Sequence, residues 1–197
     1  MGDNSANLAA LIGSRICHDL ISPIGAITNG LELLDLSGSL QGPEMDLISD
    51  SVGNAGARIR FFRVAYGAAG DQMMGPAEIR ALMADISRGG RLNLIWDSDA
   101  MHQRAEVRLA FLAIQCCETA LPYGGTITIS EDNGWYVDGM ASKINHDDAL
   151  WANLSKPGHN DDVTPAQVQF ALLPHIASEL GRSVQTSHTS ESVSIRF

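Results

Sequence analysis

The sequence predicts an α+β protein in two parts. An N-terminal helical hairpin pairs with a second copy to make a dimeric four-helix bundle, and a C-terminal part forms an α/β sandwich. Three observations lead there. Apolar residues recur every three or four positions through residues 5–36 and again through 48–66, the spacing of helical seams. A break containing Ser37, Gly38 and Ser39 separates the two seams, so the second helix folds back on the first. From Asp71 onward, helical and alternating segments follow one another without regular βαβ alternation, which places helices on one face of a sheet.

The elements follow in order. Leu8, Ile12, Ile16, Leu20, Ile24, Ile27, Leu31 and Leu34 mark the first helix, with Pro23 inside it as a kink or a lost hydrogen bond. Pro43 opens the second helix, with Glu44 and Asp46 in its first turn. Its seam is Ile48, Val52, Ala55, Ile59, Phe62 and Tyr66, and the glycines at 67 and 70 end it. One hairpin cannot bury two full seams, so a homodimer is expected. In the second part, residues 76–88 read as a helix, 91–97 as a strand and 104–120 as a helix. Residues 126–130 and 135–140 alternate as a hairpin around Asp132-Asn133-Gly134. A short helix is expected near 147–154, a longer one over 165–180 despite Pro174, and a closing strand pair at 183–187 and 192–197. The expected division is 1–70 for the hairpin and 71–197 for the sandwich.

Composition narrows the function. The 197 residues carry a formal net charge of −10, which argues against nucleic-acid binding. No apolar stretch is long enough to span a membrane, and no basic segment precedes an apolar one at the start, so a cytoplasmic location is expected. Cys17, Cys116 and Cys117 have neither disulfide nor zinc spacing. His146-Asp147-Asp148 and His159-Asn160-Asp161-Asp162 lack helical ligand spacing and read as solvated loop ends, so no metal is assigned. His102 and His188 have no partner in sequence. The cations are unevenly placed. Arg15 is alone in residues 1–55, whereas 56–70 holds Arg58, Arg60 and Arg63 and no acid.

The chemistry centres on His18-Asp19. At about 100° per residue His18 lies roughly 160° from Leu20, on the face away from the seam. An outward histidine beside an acid suits nucleophilic attack on phosphorus. One ring nitrogen attacks while the other keeps its proton, and Asp19 is the acid near enough to fix that tautomer. Phosphoryl transfer needs mainly positioning and charge neutralisation, which arginine supplies. A turn centred near residue 40 sets His18 level with about residue 62, within a turn of Arg58, Arg60 and Arg63.

His18-Asp19-Leu20 with Pro23, Ile27 and Glu32-Leu33-Leu34 resembles the H-box of histidine-kinase dimerisation domains. Leu121 to Ile127 resembles the N-box exit of the kinase ATP-binding domain, and Ile176 to Phe197 its closing helix and hairpin. The departures matter more. The N-box asparagine positions fall at Leu112 and Cys116, no second glycine follows Asp138-Gly139 in register, and Ala166 to Phe170 replaces a glycine-rich lid. A kinase-like dimer with its histidine kept and its ATP site lost resembles the ChpT-type histidine phosphotransferases of alphaproteobacteria, and Phe61 to Gly67 resembles theirs too.

That resemblance implies a relay. The receiver-domain aspartate of a hybrid histidine kinase passes its phosphoryl group to His18, which passes it to response-regulator receiver domains such as those of CtrA and CpdR in cell-cycle control. Asp19 would orient His18, and Arg15, Ser22, Arg60 and Arg63 would contact phosphate or receiver. No autokinase activity and no cofactor on this chain are implied, Mg²⁺ being supplied by the partner receiver. The rival reading is a non-catalytic kinase-like dimer that binds and sequesters receiver domains.

Overall fold

The computed structural model describes residues 2–37, 42–68, 70–156 and 163–197. Helix α1 spans Gly2–Ser37 and α2 spans Pro43–Ala65. The expected turn near residue 40 and the cluster at 159–162 lie outside the described residues. Helix α1 continues through Pro23, whose missing N–H cannot serve the Asp19 carbonyl one turn back. Gly30 sets how closely the helices pack, since a Cβ there would lie 2.5 Å from the Ile48 side chain.

The second part contains α3 (Pro76–Ser87), α4 (Arg104–Ala120), α5 (Asp148–Ala152) and α6 (Val168–Glu179). Its five-stranded sheet has the order β2-β4-β5-β7-β6, built from Leu92–Asp97, Gly125–Glu131, Trp135–Met140, Ser192–Arg196 and Gln185–His188. Strands β2 and β4 are parallel, and every other neighbouring pair is antiparallel. The β4–β5 hairpin turns where expected, with Asn133 at φ 52° and Gly134 at φ 149°. Gly124, at φ 97°, enters β4 where a Cβ would lie 2.3 Å from the Arg91 carbonyl oxygen.

Two details depart from the expected elements. A two-residue pairing of β1 (Met73–Met74) with β3 (His102–Gln103) brackets α3 and β2, too short to leave an alternating pattern. The helix expected at 147–154 is one short turn of α5 followed by a 3₁₀ turn at Asn153–Ser155, and α6 is likewise preceded by a 3₁₀ turn at Pro165–Gln167.

Helix α4 is the centre of the core, with every residue from Leu109 to Cys117 buried. It packs on the sheet, on α6 and on α2. The end of α2 belongs to the same core through Phe61, Phe62, Val64 and Ala65, and Phe61 stacks on Phe111 with centroids 4.6 Å apart. Arg104 and Arg108 of α4 donate to the Arg63 and Ala65 carbonyls, satisfying the open end of α2. The Tyr66 hydroxyl donates to Gln115 Oε1 at 2.6 Å. Burial raises the Tyr66 pKa well above the ordinary phenol range, so this hydroxyl stays a donor.

The α1 seam divides its duties. Leu8, Ile12 and Ile16 pack against this core, because α1 lies on α6 and the turn before it, with Arg15 bonded to the Ala166 carbonyl. Further on, Ile21, Ile24 and Leu31 of α1 are exposed, as are Met45, Val52 and Ile59 of α2, which recur every seven residues.

Candidate functional site: the His18 groove

His18 stands out from α1 with its side chain 81% exposed, on the face that the seam spacing assigns to it. Its Nδ1 lies 3.1 Å from Asp19 Oδ1. A carboxylate only accepts, so this contact places the imidazole proton on Nδ1 and leaves the Nε2 lone pair free.

Asp19 is held in turn. Its side chain is 11% exposed, and Oδ2 accepts from Arg15 Nε at 2.9 Å, with an Arg58 nitrogen 3.8 Å away. Arg58 also donates to Asn54 Oδ1 at 3.0 Å, one turn earlier on α2. Two helices therefore clamp the carboxylate that contacts the histidine.

An open groove of about 1090 Å³ runs in front of His18. Alongside Asp19, Ser22 and Pro23 of α1, it is lined by Arg58 and Arg60 of α2 and by Asp85 and Arg88 at the end of α3. Arg60 donates to Asp85 Oδ2 at 2.7 Å and Arg88 to Asp85 Oδ1 at 3.1 Å. One carboxylate thus gathers two guanidinium groups at the groove wall. Arg58, Arg60 and Arg88 thus line one groove with His18.

The sequence-predicted residues are not all together. Ser22 and Arg60 line the groove with His18 and Asp19. Arg15 faces the other way: it braces Asp19 and donates to the Ala166 carbonyl at 2.6 Å, tying α1 to the second part. Arg63 is exposed and does not line the groove. Arg58, unlike Arg15 and Arg63, lines the groove with His18. Asp85 and Arg88 gave no signal in sequence, because nothing local in α3 marks them as neighbours of residue 18.

The two positions that the sequence resemblance sets against a kinase's asparagines are buried. Leu112 and Cys116 have no exposed surface. They lie on α4, which packs on α6, and Gln169 of α6 is equally buried. Burial holds the Cys116 and Cys117 thiols far above their ordinary pKa, so both are inert packing groups.

Comparison with known proteins gives the following. The family described as "Histidine phosphotransferase C-terminal domain" matches residues 76–192. Protein phosphotransferase ChpT of Brucella abortus (strain 2308) is 29% identical over 200 residues, covering 96% of this chain and 94% of its own. A solved structure of a bacterial phosphotransferase superposes with a TM-score of 0.80 at 27% identity, covering 97% of this chain and 95% of that one.

Proposed function

The chain belongs to the histidine phosphotransferase family, and on that premise we propose that it relays phosphoryl groups between receiver domains through His18. The donor is the phosphoaspartate of a hybrid kinase receiver. His18 Nε2 attacks phosphorus in line, the acyl-phosphate P–O bond breaks, and the aspartate leaves as a carboxylate. The step then runs onward to the aspartate of a response-regulator receiver, of the kind found in CtrA and CpdR. The observation that carries this reading is the Asp19 contact, which occupies Nδ1 and leaves Nε2 free on an exposed imidazole that lines a groove with three arginines.

The rest of the proposal follows from the same site. Asp19 positions His18 and balances the charge on Nδ1–H. Arg58, Arg60 and Arg88 take up charge on the transferring group, while Arg15 and Arg63 act outside the groove. The transfer uses no cofactor held by this chain, since Mg²⁺ arrives in the receiver's acidic pocket. Burial of Leu112 and Cys116 supports a chain without autokinase activity. The hairpin of residues 1–70 serves as the dimerisation and transfer unit, and 71–197 as an ATPase-like fold that has lost its nucleotide site. No described helix is long and apolar enough to cross a membrane, in keeping with a cytoplasmic relay.

The test is label transfer. A receiver carrying labelled phosphoaspartate, mixed with this chain and no ATP, should yield acid-labile, base-stable label on the chain. Absence of label with several receivers that bind would refute the relay.

Two variants probe its parts. Arg58→Ala removes the α2 side of the clamp on Asp19 and one groove cation, so the transfer rate should fall on the order of 10²-fold in rapid-quench assays. A rate unchanged by that substitution would remove Arg58 from the site. The exposed apolar stripe carries the dimer proposal. Leu31→Glu places a charge on that stripe and should shift the chain from dimer to monomer by light scattering. A dimer that survives at low micromolar concentration would place the interface elsewhere.

A further inference from the structure

His146, Asp148 and His188 come from two separate segments and meet outside the groove. His146 lies between β5 and α5, and His188 ends the edge strand β6. The two imidazole rings stack with centroids 3.7 Å apart at 21°. His146 Nδ1 is 2.9 Å from Asp148 Oδ1, and one potential ligand atom from each residue lies within 4.8 Å of the other two.

The backbone under this cluster is already fixed. The Ile144 N–H donates to the Ser190 carbonyl at 3.3 Å and the Asn145 N–H to the Ala120 carbonyl at 2.9 Å. On the other side, Asp147 caps α5 by accepting from the Ala149 and Leu150 N–H groups. That commits Asp147 and leaves its neighbour, Asp148, directed at the histidine. His146 is largely buried, with its ring against Trp151 at 4.8 Å, whereas Asp148 is 91% exposed. The cluster thus combines a rigid ring, an adjustable ring, an adjustable carboxylate and an open path to solvent.

We propose that His146, Asp148 and His188 bind one divalent ion of the zinc class, clasping the α5 segment to the edge of the sheet. Two imidazole nitrogens and one carboxylate suit zinc and its transition-metal neighbours, whereas calcium and magnesium prefer all-oxygen sets. Three protein ligands leave a tetrahedral fourth position for water. Closing the site needs only the exposed His188 ring to turn out of the stack and Asp148 to choose a rotamer. The inference is independent of the relay, because none of the three residues lines the His18 groove.

The experiment is calorimetric titration of the chelator-treated full chain with Zn²⁺. One saturable Zn²⁺ per chain is expected, with no heat from Mg²⁺. His188→Ala and Asp148→Asn should each weaken binding by ~10-fold or more. Both positions are exposed, so these variants fold. His175→Ala, at an exposed histidine outside the cluster, should bind as the parent does. Cobalt substitution should give the visible absorption of a tetrahedral site, lost in His188→Ala. No saturable Zn²⁺ binding, or binding unchanged by His188→Ala, would overturn the proposal.

Discussion

His18→Ala is expected to reduce phosphoryl acceptance from a phosphorylated receiver to background, while receiver binding stays within about twofold of the parent. The asymmetry follows from the geometry. His18 is an exposed side chain on a long helix, so truncating it disturbs little packing, and such changes typically cost no more than ~0.5 kcal/mol. Its removal nevertheless deletes the proposed nucleophile. Asp19 is clamped by two arginines and Ser22 has no adjacent base among its described contacts, so neither neighbour is placed to replace an imidazole. The sequestering-adaptor reading predicts no label on the parent or the variant, with binding unchanged, since an adaptor loses nothing measurable with His18. Transfer assays and binding titrations on the same variant separate the two.

Phe111→Ala should destabilise the chain by about 3–5 kcal/mol, measured by urea unfolding. Phe111 has no exposed surface and stacks on Phe61 at the point where α2 enters the core of the second part. Because whole domains are stable by only ~5–15 kcal/mol, this loss is a large share of the total. Its location also couples stability to function. Arg58 is on α2 less than one turn before Phe61, so loosening that junction should slow transfer even before unfolding is seen. A loss below about 1 kcal/mol would show that the hairpin and the sandwich do not share one core.

Much of the fold is legible because its long elements have strong periods. The seams of α1 and α2, the apolar run of α4 and the β4–β5 alternation around Asn133-Gly134 each announce themselves locally. The β1–β3 pairing does not, since two residues carry no period. The double use of the α1 seam is hidden for another reason. Leu8, Ile12 and Ile16 look the same in sequence whether they meet a second copy or α6.

The site shows the same division. The His18–Asp19 pairing is adjacent in sequence, and the antiparallel register of two equal-rise helices brings Arg58 within reach. The side-chain directions of Arg15 and Arg63 are not given by register, and the structure turns both from the groove. Asp85 and Arg88 enter from α3, and His188 reaches His146 across 42 positions. No local pattern encodes such meetings. They depend on how whole elements pack.

The measurement that bears most directly on the central claim is the position of the phosphoryl group on the imidazole. The Asp19 contact holds the proton on Nδ1, so transfer should place phosphorus on Nε2 of His18. Phosphorus NMR of the labelled chain at alkaline pH, with peptide mapping of the same sample, distinguishes the two isomers and the residue. Phosphorus on Nε2 within the His18 peptide is the predicted result. Phosphorus on Nδ1, or on any residue other than His18, would contradict the mechanism.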